Sequence, residues 1–341
     1  MQNSMATRLL HTDNESIDSR YYRSRFIMFH ICITGSKGML GRELVGLLED
    51  GLRPAVLASR FAGWQRKGFW TTAADTIPVR MTAMDLDELD IRKADAVRSV
   101  LGKLRPTLVI NTAACTDVDG CESSEAEAFV VNAAGPTNLA EVCRDCRARL
   151  VHISTDYVFD GIGAEPYTPE HPLAPQSAYG RTKAAGEEAI RCILPGAHTI
   201  VRSSWMFGVH GRNFVRTILK LAAERPALRV VTDQVGCPTY AADLAAALLV
   251  AGLAGVCGTH HFCNAGVCSW NQFAAEIVRL SSAACRILPQ TTVELNRPAP
   301  RPAYSALSIG SFIKATGIVP RPWPEALAEC LTALQSIAAT V

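Results

Sequence analysis

The chain has 341 residues, of which 48% are hydrophobic and 19% charged, which is typical of a soluble globular protein large enough to bury a sizeable core. The formal net charge is +2, and its lysines and arginines are scattered among acidic residues, which excludes the basic patch of a nucleic-acid-binding protein. The longest apolar run, residues 244–257, is shorter than the ~18–20 residues that cross a bilayer, so we expect a buried helix and no membrane partner.

The N-terminal segment differs from the rest. Residues 1–27 have little periodicity and no apolar stretch of signal-peptide length, so we expect a disordered extension, with Met28 as an alternative start. The chain has twelve cysteines without a secretory signal, which favours reduced thiols and a cytoplasmic location. Cys143 and Cys146 have zinc-ligand spacing, but no second pair accompanies them, and we predict no metal there.

A strand, a glycine-rich turn and a helix follow. Residues 29–34 are β-prone, and the following turn carries Gly35, Gly38 and Gly41 before a helix over residues 42–49. Glycines at i, i+3 and i+6 let backbone N–H groups approach a pyrophosphate, which then lies at the helix N-terminus. The turn, including Met39 and Leu40, therefore predicts a dinucleotide site.

The next strand has two candidate positions. We prefer residues 54–58, which places Ser59 and Arg60 beside the adenosine ribose, where an arginine favours the 2′-phosphate of NADP over NAD. Residues 79–84 are then the third strand, with Asp90 and Ile91 near the adenine. In the alternative register 79–84 is the second strand, Asp85 occupies the ribose position, and residues 52–78 are an insertion.

Two further strands end in small or polar residues. Residues 108–111 form a buried strand, followed by Ala113 and Ala114, which are small enough to lie against a nicotinamide ribose, and by a helix over about 124–147. Residues 150–153 form the next strand, which ends before Thr155. The alternation predicts an α/β fold, a Rossmann-like doubly wound parallel sheet with ligands at the carboxyl ends of its strands.

Tyr179 and Lys183 lie four residues apart in a predicted helix, which places both side chains on one face. A nearby ammonium favours the phenolate and should lower the pKa of Tyr179, while the Thr155 hydroxyl could bond the carbonyl being reduced. Taken alone, such a spacing is more often an exposed surface pair. The three glycine, alanine and threonine motifs that converge on one sheet edge favour the catalytic interpretation.

The remainder predicts a smaller substrate lobe interwoven with the first domain. We expect helices over 213–223 and 270–280, a strand over 228–231, and a loop over 233–239 that could cover a nucleotide sugar. Residues 28–205 would be mainly the NAD(P)-binding domain and 206–341 mainly the substrate lobe, with 240–253 returning to the first domain. Arg297 and Arg301 suit a diphosphate, although each could be a solvated surface charge.

Several motifs in order resemble the dTDP-4-dehydrorhamnose reductase family of extended short-chain dehydrogenase/reductases, from Ile31 to about Leu331. The matching segments are NTAA at 111–114, TDVD at 116–119, VNA at 131–133, STDYVFDG at 154–161, YGRTK at 179–183, RSSW at 202–205, DQVGCPT at 233–239 and RPAYS at 301–305.

The resemblance implies a role for each matching residue. Tyr179 matches the proton donor, Lys183 the residue that holds the nicotinamide ribose, and Thr155 the third catalytic group. Gly38, Met39 and Leu40 match the turn that contacts the pyrophosphate, and Ala113 and Ala114 match the pair that lines the cofactor. With the residues already predicted from the strand pattern, the cofactor-binding set is Gly35, Gly38, Met39, Leu40, Gly41, Ser59, Arg60, Asp90, Ile91, Ala113, Ala114, Tyr179 and Lys183. The substrate-contacting set would be Thr116, Thr155, Asp156 and Trp205, although Trp205 could instead be a core aromatic.

The implied reaction is hydride transfer from NADPH, or alternatively NADH, to the C4 ketone of a dTDP-6-deoxy-hexulose in polysaccharide biosynthesis. Cys115 replaces the larger residue usual in the family, which leaves the identity of the sugar open. The Mg²⁺ requirement and the choice between monomer and homodimer are also open, and no acidic cluster predicts a metal site.

Two other functions compete with this one. The first is a dehydratase or epimerase of nucleotide sugars, although Tyr157 stands where such dehydratases carry a glutamate. The second is a regulatory subunit that binds NADP without catalysis, like the methionine adenosyltransferase β subunit.

Overall fold

The computed structural model describes residues 29–49, 51–61 and 78–340, so the N-terminal extension and much of the 52–78 insertion lie outside the described residues. The strands are β1 Phe29–Thr34, β2 Val79–Met84, β3 Leu108–Asn111, β4 Arg149–Thr155, β5 His198–Ser203, β6 Met206–Phe207, β7 Ala227–Val231, β8 Val235–Gly236, β9 Thr239–Tyr240, β10 Gly258–His261, β11 Cys268–Ser269 and β12 Arg286–Gln290. The helices are α1 Met39–Leu48, α2 Pro54–Ser59, α3 Ala94–Leu104, α4 Val118–Ser123, α5 Glu125–Phe129, α6 Gly135–Cys146, α7 Ala178–Ile193, α8 Phe214–Glu224, α9 Ala241–Leu253, α10 Trp270–Ser281, α11 Thr292–Leu295, α12 Gly310–Thr316 and α13 Trp323–Thr340.

Within the described residues, the main sheet has six parallel strands in the order β10-β5-β4-β3-β1-β2. Alternate strand residues face opposite layers: Ile31 and Ile33 contact α1 and α9, whereas Cys32 faces α3, α6 and α7. Helices on both faces bury the sheet, which explains its continuous apolar strands. The predicted Rossmann-like doubly wound α/β fold is confirmed.

The preferred position of the second strand is wrong. Residues Pro54–Ser59 form α2, and Val79–Met84 is the strand that pairs with β1 throughout its length. A short apolar run does not distinguish a strand from a helix, and Pro54 at the first turn is preset for helical φ. Burial of Leu57 then anchors α2 in the core.

The single helix expected over 124–147 is also interrupted. It comprises α5 and α6 joined by a π-helical turn, Val130–Ala134, which keeps both helices nearly continuous. Asn132 in this turn accepts from the Cys115 N–H and donates to the Cys115 carbonyl, so the turn holds the loop after β3.

A second core lies beyond β5. The helices α8, α10 and α13 bury Val215, Phe273, Ile277 and Leu327 against the parallel pair β7 and β12. Helix α9 is buried along its whole length and packs against α1 under the main sheet. In the part of the chain that the structure describes, no helix is both long and apolar enough to span a membrane.

Candidate functional site

Two neighbouring cavities lie at the carboxyl ends of the main-sheet strands. The larger, of about 510 Å³, contains Tyr179, Lys183 and Trp205 in its lining, and the smaller, of about 490 Å³, is bordered by Asp85 and Ile91. Both share Gly38, Thr112 and Ala114, so they form one elongated cleft. This is the edge where ligands bind in doubly wound sheets.

The glycine turn after β1 leaves no room for side chains. Gly35 has φ +74°, and a Cβ there would lie 2.6 Å from the Ala113 nitrogen. A Cβ on Gly41 would lie 2.2 Å from the Gly35 carbonyl oxygen. The turn therefore brings backbone close to the cleft at the N-terminus of α1, where N–H groups favour an anion. Gly38, Met39 and Leu40 line the larger cavity.

The smaller cavity is bordered by the residues after β2. Asp85 accepts a hydrogen bond from the Lys37 N–H at 2.8 Å. Asp90 binds the Arg92 guanidinium through two bonds of 2.8 and 2.9 Å, which lowers the pKa of this carboxyl, and Ile91 is buried. Asp90, Ile91 and Ala113 thus border one cavity together with Asp85. Asp85 directly follows the second strand, which is the position that Arg60 was predicted to have.

Ser59 and Arg60 line neither cavity, because residues 54–59 form α2 and not the strand that was predicted to deliver them. The Arg60 Nη1 donates to Glu329 at 3.1 Å and to Asp243 at 3.4 Å. The Ser59 hydroxyl donates to the Val56 carbonyl. The interpretation of Arg60 as the residue that selects NADP is wrong, and the Asp85 register is the one that the structure adopts.

Arg60→Ala should therefore leave the ratio of NADPH to NADH activity unchanged and lower stability by about 1 kcal/mol, because two partly buried ion pairs are lost. Kinetic constants with both cofactors and a urea unfolding curve measure the two effects. Preference that moves toward NADH would restore the assignment of Arg60 to the ribose.

The three predicted catalytic residues all line the larger cavity. Helix α7 begins at Ala178, where the Ser177 side chain caps Gly180 and Glu122 accepts from the Ala178 N–H at 2.8 Å. This start places Tyr179 at the cavity wall and Lys183 one turn further into the protein. Thr155, at the end of β4, donates to Asp156 at 2.9 Å.

The pKa of Tyr179 is raised, not lowered as expected from its spacing to Lys183. Burial of the phenol raises it, and the hydrogen bond with Thr155 opposes this. The Lys183 ammonium instead contacts the Ile153 carbonyl at 2.6 Å, and burial lowers the pKa of Lys183 to about 8. A phenol that keeps its proton is suited to act as an acid, which is the role needed for ketone reduction.

The substrate-side candidates line the same cavity. Thr116, Asp156 and Trp205 all border it, and burial raises the pKa of Asp156 to about 6. Trp205 has φ +46° and stacks on Trp270 at 3.6 Å between ring centroids. Trp205 is thus a cavity wall held by a second indole, rather than only a core aromatic.

Some residues of the site were not predicted. Trp270, Arg212 and Asn213 line the larger cavity, and Asn213 also caps α8. Polar residues directly before a helix were the available signal for Asn213, whereas nothing local indicated Trp270. Arg301 and Arg297 both face Asp119, at 3.0 and 3.7 Å, and neither lines the two cavities.

Metal ligands do not cluster in the part of the chain described. Among residues 29–49, 51–61 and 78–340, no group of three or more His, Cys, Asp or Glu side chains is arranged to hold a metal ion. Cys115 borders the smaller cavity with its Sγ 3.6 Å from the Cys121 Sγ.

Comparison with known proteins agrees with this geometry. Residues 29–336 match the family model described as RmlD substrate binding domain. A dTDP-4-dehydrorhamnose reductase of Streptomyces griseus is 41% identical over 323 residues, covering 93% of this chain and 96% of that protein.

Solved structures give the same result. A dTDP-4-dehydrorhamnose reductase of Clostridium acetobutylicum is 39% identical, with a TM-score of 0.79, covering 90% of this chain and 100% of that one. The Bacillus anthracis enzyme in complex with NADP is 33% identical, with the same TM-score and coverage. The chain belongs to the dTDP-4-dehydrorhamnose reductase family.

Proposed function

We propose that this chain reduces the C4 ketone of a nucleotide-activated 6-deoxy-hexulose, dTDP-4-dehydro-6-deoxy-L-mannose, to give dTDP-L-rhamnose with NADPH. The observation that carries the proposal is the position of Thr155, Tyr179 and Lys183 in one cavity that continues to the glycine turn. Relatives named for this reaction support the choice of substrate.

The cleft fits a dinucleotide. Gly35 and Gly41 allow the backbone approach that a pyrophosphate needs, and Ala113 and Ala114 leave space along the cleft between the cavities. When bound, the reduced nicotinamide supplies the hydride. The NADP complex of the Bacillus anthracis relative supports NADPH, with NADH as the alternative. The Asp85 carboxylate, at the end of β2, is engaged within the protein, because it accepts hydrogen bonds from the backbone N–H groups of Lys37 and Leu86.

Tyr179 would donate the proton to the ketone oxygen. Its raised pKa keeps the phenol protonated, and the Thr155 hydroxyl beside it can help to hold the oxygen in place. Lys183, in its ammonium form, would hold the nicotinamide ribose and stabilise the phenolate that remains after transfer. Three groups thus position the ketone and balance the charge that develops.

The same cavity would receive the sugar. Asp156 and Thr116 offer oxygen atoms that can bond sugar hydroxyls, and the Trp205 indole provides a flat apolar face. Stacking on Trp270 fixes the orientation of this face, because rotation of Trp205 would separate two rings whose centroids are 3.6 Å apart. The arrangement suits a deoxy sugar that has both polar and apolar faces.

We also expect a cytoplasmic enzyme, in agreement with the cysteine content. The assembly as a monomer or homodimer is to be measured by light scattering, and a Mg²⁺ requirement forms no part of the proposal.

The test is NADPH oxidation by the purified protein with dTDP-4-dehydro-6-deoxy-L-mannose, followed by identification of the product sugar by NMR. We expect one dTDP-L-rhamnose for each NADPH consumed. An isomerised ketose without net NADPH consumption would identify an epimerase. Tight NADPH binding without turnover on this or related 4-ketoses would favour a regulatory subunit.

A further inference from the structure

The amine of Lys183 has two polar neighbours inside the protein. Its Nζ donates to the Ile153 carbonyl at 2.6 Å and lies 3.3 Å from the Nε2 of His152. Lys183 is 2% exposed and His152 is fully buried, so water does not replace these partners. The charge that Lys183 carries therefore depends on which atom of His152 bears the proton.

A backbone group determines that proton's position. The Ala113 N–H, which can only donate, bonds the Asn111 Oδ1 at 3.1 Å, and the Thr34 hydroxyl donates to the same oxygen at 2.7 Å. The amide nitrogen of Asn111 consequently faces His152 and donates to its Nδ1 at 2.9 Å. An accepting Nδ1 carries no proton, so the neutral imidazole has its hydrogen on Nε2.

This hydrogen points at Lys183. Burial holds the pKa of His152 well below its ordinary value, and the Lys183 charge lowers it further, so the imidazole is neutral. A neutral amine can accept the Nε2–H through its lone pair while donating to Ile153. An ammonium has no lone pair and meets the N–H unfavourably.

One charged group acts on Lys183 in the opposite direction. Glu187, one turn further along α7, favours the ammonium. Its carboxylate is bound by Arg202 at 2.6 and 2.9 Å and by Arg191 at 3.0 Å, which offsets its effect. The hydrogen-bonded chain also ends inside the protein at Thr34, which is 1% exposed, so it is not a route for protons to solvent.

We propose that Asn111 and His152 are positioning residues that present an N–H to Lys183 and thereby weaken its hold on the proton. The proposal rests on the role of Lys183 in the proposed function. A series of hydrogen bonds runs from Ala113 through Asn111 and His152 to Lys183. Because Ala113 also borders the cofactor cleft, these bonds couple the backbone of the cleft to the protonation of Lys183.

The consequence is a pH dependence with a defined sign. If the ammonium is the working form, kcat/KM and NADPH affinity fall as pH rises through the pKa of Lys183. A change that removes the opposing N–H makes Lys183 keep its proton to higher pH. The alkaline limb of each profile, the pH range over which kcat/KM and NADPH affinity fall, then moves to higher pH.

Asn111→Asp is the most direct variant. Its carboxylate accepts from Thr34, Ala113 and the Nδ1 of His152, which transfers the imidazole hydrogen to Nδ1 and leaves Nε2 free to accept from an ammonium. His152→Gln can present an amide oxygen to the same amine. In both variants we expect the alkaline limb to shift to higher pH by about one unit, which corresponds to a tenfold higher affinity of Lys183 for its proton.

The measurements are pH profiles of kcat/KM and of NADPH dissociation constants from fluorescence, the second of which needs no turnover. His30→Gln is the control, because this buried histidine bonds Thr82 and Leu104 and does not contact Lys183. We expect no shift of the alkaline limb in this control.

Comparing the double variant Asn111→Asp with His152→Leu against His152→Leu alone separates the tautomer from simple charge. His152→Leu already removes the opposing N–H, so if the tautomer acts, adding Asn111→Asp to it produces little further shift. An Asn111→Asp shift that is as large in the His152→Leu background as in the wild type, or unshifted profiles in both Asn111→Asp and His152→Gln, would overturn the proposal. A wild-type protein that binds NADPH but reduces no 4-ketose would refute the proposed function, while the binding profiles would still decide this inference.

Discussion

Replacing Tyr179 with Phe should lower kcat for ketose reduction by about 10²–10⁴-fold, the usual contribution of a positioned general acid. The phenol lines the cavity and is hydrogen-bonded to Thr155. NADPH affinity should be nearly unchanged, since the ring remains and the glycine turn is untouched. Stopped-flow turnover together with fluorescence titration of NADPH measures both.

Tyr157→Phe is the matched control for this variant. Tyr157 borders the same cavity, and its ring packs edge-on against Tyr179 with centroids 5.6 Å apart. Loss of its hydroxyl should reduce kcat far less than loss of the Tyr179 hydroxyl. Equal losses in the two variants, or wild-type turnover in Tyr179→Phe, would remove Tyr179 from the role of proton donor.

Gly41→Ala should weaken NADPH binding by at least about tenfold and destabilise the protein by about 1–3 kcal/mol, the usual cost of forced overpacking. The added Cβ would meet the Gly35 oxygen at 2.2 Å and the Ser36 Cα at 2.7 Å, both of which are backbone. The turn must therefore move away from α1, which displaces the N–H groups that would hold the pyrophosphate. Thermal unfolding and NADPH titration measure the two effects.

Gly46→Ala is the control in the same helix. A Cβ at Gly46 meets nothing within 4 Å, and alanine in a helix interior is more favourable than glycine by about 0.5–1 kcal/mol. This variant should raise the melting temperature and leave NADPH affinity unchanged. Wild-type cofactor affinity in Gly41→Ala would show that the turn is not where the dinucleotide binds.

The local sequence was sufficient for elements whose signals depend on neighbouring residues. The glycines of the first turn, the Tyr179 and Lys183 spacing and the buried strand before Thr155 each have a short-range physical cause, and the structure has a turn, a helix and a strand at these positions. The position of the second strand was not determined in this way, because residues 54–59 satisfy the apolar pattern of either a strand or a helix.

The sequence by itself determined the strands before the glycine turn, before Ala113 and before Thr155, and the chemical groups that they deliver to the cleft, since apolar periodicity and glycine conformation act over a few residues. Only the tertiary structure decided which groups the charged and titratable side chains contact. Arg60 binds groups 183 and 269 residues away, and His152 contacts a lysine 31 residues along the chain. Charge and proton position depend on burial and on such distant atoms, which is why the pKa of Tyr179 rises where its spacing to Lys183 alone predicted a fall.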